Sequence, residues 1–115
     1  QNRHAWTNTA RSLSDHGNTV VTIDTRGHGD SQWDPSGKYE TDVLTHDLLA
    51  IHTQMSRGRP VVAVGASMGG MTILNAHRHH SPDLWAGVVL VDVTPRMEIA
   101  GAQRVVAFMT AHPNG

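Results

Sequence analysis

The 115-residue chain has no cysteine, which excludes a disulfide framework and any thiolate metal centre and leaves the redox compartment open. Neither sign of charge dominates, with nine Lys and Arg against ten Asp and Glu. Without a strong positive field the chain is poorly suited to phosphate backbones or anionic lipid, so neither nucleic acid nor a membrane is an expected partner. Apolar runs are too short to span a bilayer. No signal peptide is visible, and a cytoplasmic location is expected over a secreted one. The chain starts at Gln1 rather than Met, so the missing leader carries little weight.

What is present fits one compact domain over residues 1–115, which at this length buries roughly two-thirds of the surface of its unfolded form. No internal repeat, low-complexity tract or linker divides it. Trp6, Ala10 and Leu13 recur at helical spacing, with Gly17 in the place of a helix C-cap, and predict a helix over 5–16. The β-branched run from Thr19 to Ile23 predicts a buried strand that ends at Asp24 and feeds a Gly-, Asp-, Ser- and Pro-rich loop from Thr25 to Lys38. Behind Thr41 as N-cap, Leu44, Leu48, Ile51 and Met55 keep helical spacing until Gly58 and Pro60 close the element. Strands follow at 61–64 and 87–91, a helix lies between them over 68–80, and a last helix is expected over about 100–111. Apolar strands alternating with helices indicate an α/β class, a three-layer α/β/α arrangement around a mainly parallel sheet.

One pentapeptide carries chemistry. Gly65-Ala66-Ser67-Met68-Gly69 matches G-x-S-x-G, a pattern that arises by chance in roughly one chain of this length in twenty-five. Context must therefore carry the argument. An apolar strand precedes the pentapeptide and a helix follows it, the setting in which a sharp turn lifts a serine hydroxyl clear of the sheet. Serine is a poor nucleophile until a base takes its proton, and it must be open to a substrate carbonyl. In such a turn Ser67 has positive φ, and Gly65 and Gly69 spare the side chains that would collide where strand and helix close up. Gly70 adds a further small residue for close packing of helix on sheet. The helix N-terminus then points at the reacting centre, so the Met68 N–H can stabilise an oxyanion.

The segment Asp24-Thr25-Arg26-Gly27-His28-Gly29-Asp30-Ser31 is similar to the D-x-R-G-x-G-x-S stretch that follows the fourth strand in many α/β-hydrolases, and it precedes G-x-S-x-G in family order. Residues 88–92 resemble the sixth strand, so Trp6 to Asp92 reads as helix A through strand six of that family, a partial α/β-hydrolase fold. The resemblance implies a serine hydrolase acting on an ester or related acyl substrate, a small molecule, through an acyl-Ser67 intermediate. It implies no cofactor and no metal, and it leaves the oligomeric state open. Family members that open epoxides or remove halide use Asp at this turn, so Ser67 argues against those reactions. Perhydrolase or haloperoxidase chemistry at the same serine, and a non-catalytic hydrolase-like fragment, are the alternatives.

In the family the acid usually follows strand seven, the His follows strand eight and a second oxyanion donor comes from an H-G-type loop. All three are expected outside this chain, and the 115 residues alone are expected to be inactive. Some members carry the acid after strand six, which makes Asp92 either the catalytic acid or a structural carboxylate ordering the turn before Pro95. His28 is expected in a backbone or packing role. His77 and His80 have a spacing that can bind metal but read as a solvated helix end. Asp24 and Arg26 are expected to fix their loop, and Trp33, Trp85 and Met71 to be core or pocket wall.

Overall fold

The computed structural model describes residues 2–93 and, beyond them, Gln103, Ala107 and Thr110. The chain divides into two compact units, Gln1–Arg57 and Gly58–Gly115.

In the first unit a 3-10 turn, Arg3–Trp6, leads into α1, Thr7–Asp15. The helix ends where Gly17 takes φ 85°: Gly17 N–H donates to the Ser14 carbonyl at 2.9 Å and Asn18 N–H to that of Leu13 at 3.2 Å. This paired closure satisfies two of the carbonyls that a helix end leaves bare, and its left-handed position is the one glycine occupies without a Cβ clash.

The expected strand at Thr19–Ile23 is not one here. The sheet contains only the two strands of the second unit among the described residues, and Val21 is 48% exposed. β-Branched composition favours an extended backbone, but a strand exists only where a neighbour accepts its ladder of hydrogen bonds. The loop after it ends at α2, Thr41–Ser56. Thr41 is the first helical residue rather than the N-cap, which is Glu40, and no side chain caps this end. The helix starts instead on the Glu40 carbonyl, which accepts from the Val43 and Leu44 N–H groups at 3.0 and 3.1 Å. Leu44 is buried, whereas Met55 near the other end is exposed. Termination comes from two successive left-handed residues, Arg57 at φ 49° and Gly58 at φ 75°.

The second unit is a β-α-β arrangement: β1, Val62–Ala66, then α3, Met68–His79, then β2, Gly87–Val91. β1 and β2 pair in parallel, from Val62 opposite Gly87 to Ala66 opposite Val91. Parallel neighbours need a crossover of a dozen or more residues, and α3 supplies it. Because strand side chains alternate, Ala63 and Gly65 are buried while Val62, 58% exposed, and Val64 lie on the other face. Gly70, Ile73 and Ala76 recur every three residues along α3 and are buried, which is the stripe a helix needs to pack on a sheet. Burial of Ile73 alone is worth about 1.5–3 kcal/mol. Trp85 is buried beside this core, as expected, and Met71 is half-buried. Of the last helix, Gln103, Ala107 and Thr110 are helical; the rest of that expected element, and Pro95, lie outside the described residues.

Candidate active site

Serine at a helix N-terminus ordinarily adopts extended backbone angles and spends its hydroxyl on a cap. Ser67 does neither. It joins β1 to α3 with φ 48° and ψ −120°, makes no side-chain cap bond and is exposed. A non-glycine residue in this region costs on the order of 1–3 kcal/mol and persists only where its surroundings impose it. Those surroundings are visible. Ser67 N–H donates to the Val91 carbonyl at 3.4 Å, and the Ser67 carbonyl accepts from Met71 N–H at 3.1 Å as the first bond of α3. The N–H groups of Met68, Gly69 and Gly70 precede that bond and are left to serve other acceptors.

Glycine at 65 is a steric requirement: a Cβ built there meets the Gly69 carbonyl carbon, the Gly70 nitrogen and the Ile73 Cδ1, each at 2.7 Å. Gly70 is nearly as confined, with Val93 Cγ2 at 3.0 Å and the Gly65 oxygen at 3.2 Å from a built Cβ. Gly69 departs from expectation, since a Cβ there meets nothing within 4 Å. The strand and helix close up at 65 and 70, and residue 69 faces away from that contact.

Register brings Asp92 to the serine. Ala66 and Val91 are paired, so Ser67 and Asp92 are the residues that leave adjacent strands together, and Asp92 also has positive φ, 53°. It is exposed. His77, His79 and His80 are not brought there: they are exposed at the far end of α3, and ten residues at 1.5 Å of rise put His77 about 15 Å from Ser67. Among the described residues no group of three or more His, Cys, Asp or Glu is arranged to hold a metal ion.

In the first unit Asp24 and Arg26 organise their loop as expected. The Asp24 side chain, 3% exposed, accepts from Arg3 N–H at 2.5 Å, from the Arg3 guanidinium and from Asp30 N–H at 3.1 Å. The Arg3 N–H first, with Asp30 N–H and the Arg3 side chain, holds this carboxyl below the ordinary carboxylate range against the opposing effect of desolvation. A Cβ on Gly29, which has φ 52°, would run into the same carboxylate. Arg26 grips Asp47 of α2 through Nε and Nη2 at 2.6 and 2.7 Å and reaches Asp34 with Nη1 at 2.6 Å. Asp34 in turn accepts from Ser36 Oγ and N–H at 2.6 and 2.7 Å, which lower its pKa together with Arg26. His28 Nδ1 lies 3.2 Å from Thr25 Oγ1 and 3.1 Å from the Arg26 carbonyl, a local loop role. Trp33 is not a core residue: it is 74% exposed, with only an edge-on contact to Tyr39 at 6.4 Å between ring centres. No sequence signal marked Arg3 or Val93, whose partners lie far along the chain or past a turn.

Residues 1–112 match the family model described as the alpha/beta hydrolase fold. The chain belongs to the α/β-hydrolase fold family. Among its relatives, the esterase Rv0045c of Mycobacterium tuberculosis is 35% identical over 83% of the chain and 30% of that protein. The sn-1-specific diacylglycerol lipase ABHD11 of Mus musculus is 36% identical over 83% of the chain and 29% of that protein. The protein phosphatase methylesterase 1 of Candida albicans is 22% identical over 92% of the chain and 30% of its own length. The chain thus spans less than a third of the length of these curated relatives. No solved structure is significantly similar to it.

Proposed function

We propose that the protein is a serine hydrolase of esters or related acyl compounds, with Ser67 as nucleophile. The observation that carries this reading is the backbone of Ser67, φ 48° and ψ −120° between β1 and α3, with its hydroxyl spared from capping. Relatives named as an esterase, a lipase and a methylesterase support an ester as the substrate class.

In the first step Ser67 Oγ attacks the acyl carbon while a base takes its proton, and the carbonyl π pair moves onto oxygen. Met68 N–H, at the positive end of α3, donates to that oxyanion. Collapse restores the carbonyl and expels the alcohol, which leaves with the proton held by the base. Water repeats the sequence on the acyl-Ser67 ester and releases the acid. The pairing of Ala66 with Val91 supports Asp92 as the candidate acid that orients the base, and the base is a histidine that the family resemblance puts after an eighth strand.

The test is fluorophosphonate labelling and ester turnover by the full-length protein. Ser67→Ala is expected to abolish labelling and to lower kcat by about four to six orders of magnitude, and Asp92→Asn by about 10⁴ without loss of fold. Retained turnover in Ser67→Ala would remove the assignment, and wild-type kcat in Asp92→Asn would return that residue to a structural role.

A further inference from the structure

The turn at Ser67 has an unexplained feature: its strained backbone is held by few hydrogen bonds. No side chain caps α3, and the hydrogen bond from Ser67 N–H to the Val91 carbonyl is long at 3.4 Å. Besides this bond and the 3.1 Å bond from Met71 N–H to the Ser67 carbonyl, the turn is held by packing, and that packing has three layers. Gly65 of β1 lies against the first turn of α3 so closely that a Cβ would stand 2.7 Å from both the Gly69 carbonyl carbon and the Gly70 nitrogen. On Gly70 rests Val93, whose Cγ2 and Cβ would lie 3.0 and 3.3 Å from a Cβ built there. Val93 reaches this position because Asp92 takes φ 53°, a left-handed turn directly after β2.

We propose that Val93 is a positioning residue for the serine turn: returned by the bend at Asp92, its side chain presses on Gly70 and keeps the N-terminus of α3, and with it Ser67 Oγ and the Met68 N–H, seated on the end of β1. This rests on the reading of Ser67 as nucleophile. Val93 is apolar and offers no group to the chemistry. It restricts where the oxyanion donor and the nucleophile stand relative to each other, a geometry in which a displacement near 1 Å costs up to about 100-fold in rate. Val93 and the Gly65 oxygen also account for the tight space at 70, where a built Cβ would stand 3.0–3.3 Å from them, although 69 is open.

The experiment uses the full-length protein with three variants, well below their melting temperatures. Val93→Ala is expected to lower kcat for a p-nitrophenyl ester by about tenfold or more with KM within about twofold, and to speed hydrogen exchange in residues 65–71. Val93→Thr keeps both γ branches and is expected to restore both readouts. Leu74→Ala, in the groove that α3 forms with Trp85, Val88 and Leu90, is expected to lower the melting temperature while leaving kcat and exchange at 65–71 as in the wild type. Wild-type kcat and exchange in Val93→Ala, or a Thr variant as slow as the Ala variant, overturn the proposal. Gly70→Ala drives a methyl into the same contact and serves if Val93→Ala does not fold; unchanged kcat and exchange there overturn it equally. Failure of the Ser67 reading is seen separately, as absent fluorophosphonate labelling of the wild type, and the exchange readout then still decides for or against Val93.

Discussion

Two glycines of the G-x-S-x-G pattern do different work. A methyl on Gly65 has no free volume, because backbone atoms of the next turn occupy it at 2.7 Å, whereas a methyl on Gly69 enters open space on a helix. Gly65→Ala is therefore expected to destabilise the protein by about 1–3 kcal/mol or more, the usual cost of overpacking. Gly69→Ala is expected to leave stability unchanged or raise it by up to about 1 kcal/mol through helix propensity. Thermal or urea unfolding of the two variants checks this, and equal losses would mean that residue 69 also faces a close contact. The carboxyls of Asp24 and Asp34 give a second expectation at this scale. Both are lowered in the folded state, so their stabilisation is complete above the unfolded value of about 3.9 and is lost as pH falls through the lowered folded values. Urea midpoints measured from pH 5 to pH 2 are expected to fall, and to fall less steeply in Asp24→Asn. A midpoint that does not move with pH in the wild type would count against these pairings.

Among the elements, the loop between residues 25 and 38 has no regular structure, yet it is tied at both ends of its charge network. Arg26 joins Asp34 within the loop to Asp47 on α2, and its two-pronged contact with Asp47 needs the planar guanidinium fork. Lysine keeps the charge, but the three donors of its compact ammonium do not form a planar fork that matches a carboxylate. Arg26→Lys is therefore expected to raise proteolytic cleavage within 25–38 several-fold, with α2 intact by circular dichroism, and unchanged cleavage would show that the bonds of Asp34 N–H to Tyr39 Oη, at 3.0 Å, and of Ser36 to the Asp34 carboxylate suffice to hold the loop. The helices were largely legible in the chain because their signals are local: Gly17 and Gly58 mark C-termini by the positive φ that only a Cβ-free residue accepts freely, and Leu44, Leu48, Ile51 and Met55 keep helical spacing. The run Thr19–Ile23 forms no strand for the opposite reason. Its composition is that of a strand, but pairing is a property of two segments, and no sequence pattern in one of them supplies the other.

For the whole molecule, the chain corresponds to about 30% of the length of its esterase and lipase relatives, and the described sheet has two strands. The isolated 115-residue chain is expected to show negligible p-nitrophenyl ester turnover and to self-associate, since a two-stranded sheet with exposed valines is marginal in water. An ordinary enzyme rate from a stable monomer, lost in Ser67→Ala, would mean that a base lies within these residues. The α/β class, the strand–turn–helix at 61–80 and the choice of Ser67 as the proposed nucleophile follow from the sequence itself, because each depends on periodicity and on residues within a few positions of one another. Tertiary structure decided which glycines are sterically required, that Asp92 leaves the sheet beside Ser67, that Val93 rests on Gly70 and that Arg3 secures Asp24. Each of these joins residues separated by a strand, a helix or a turn, and such contacts depend on where the chain returns, which local preferences do not specify.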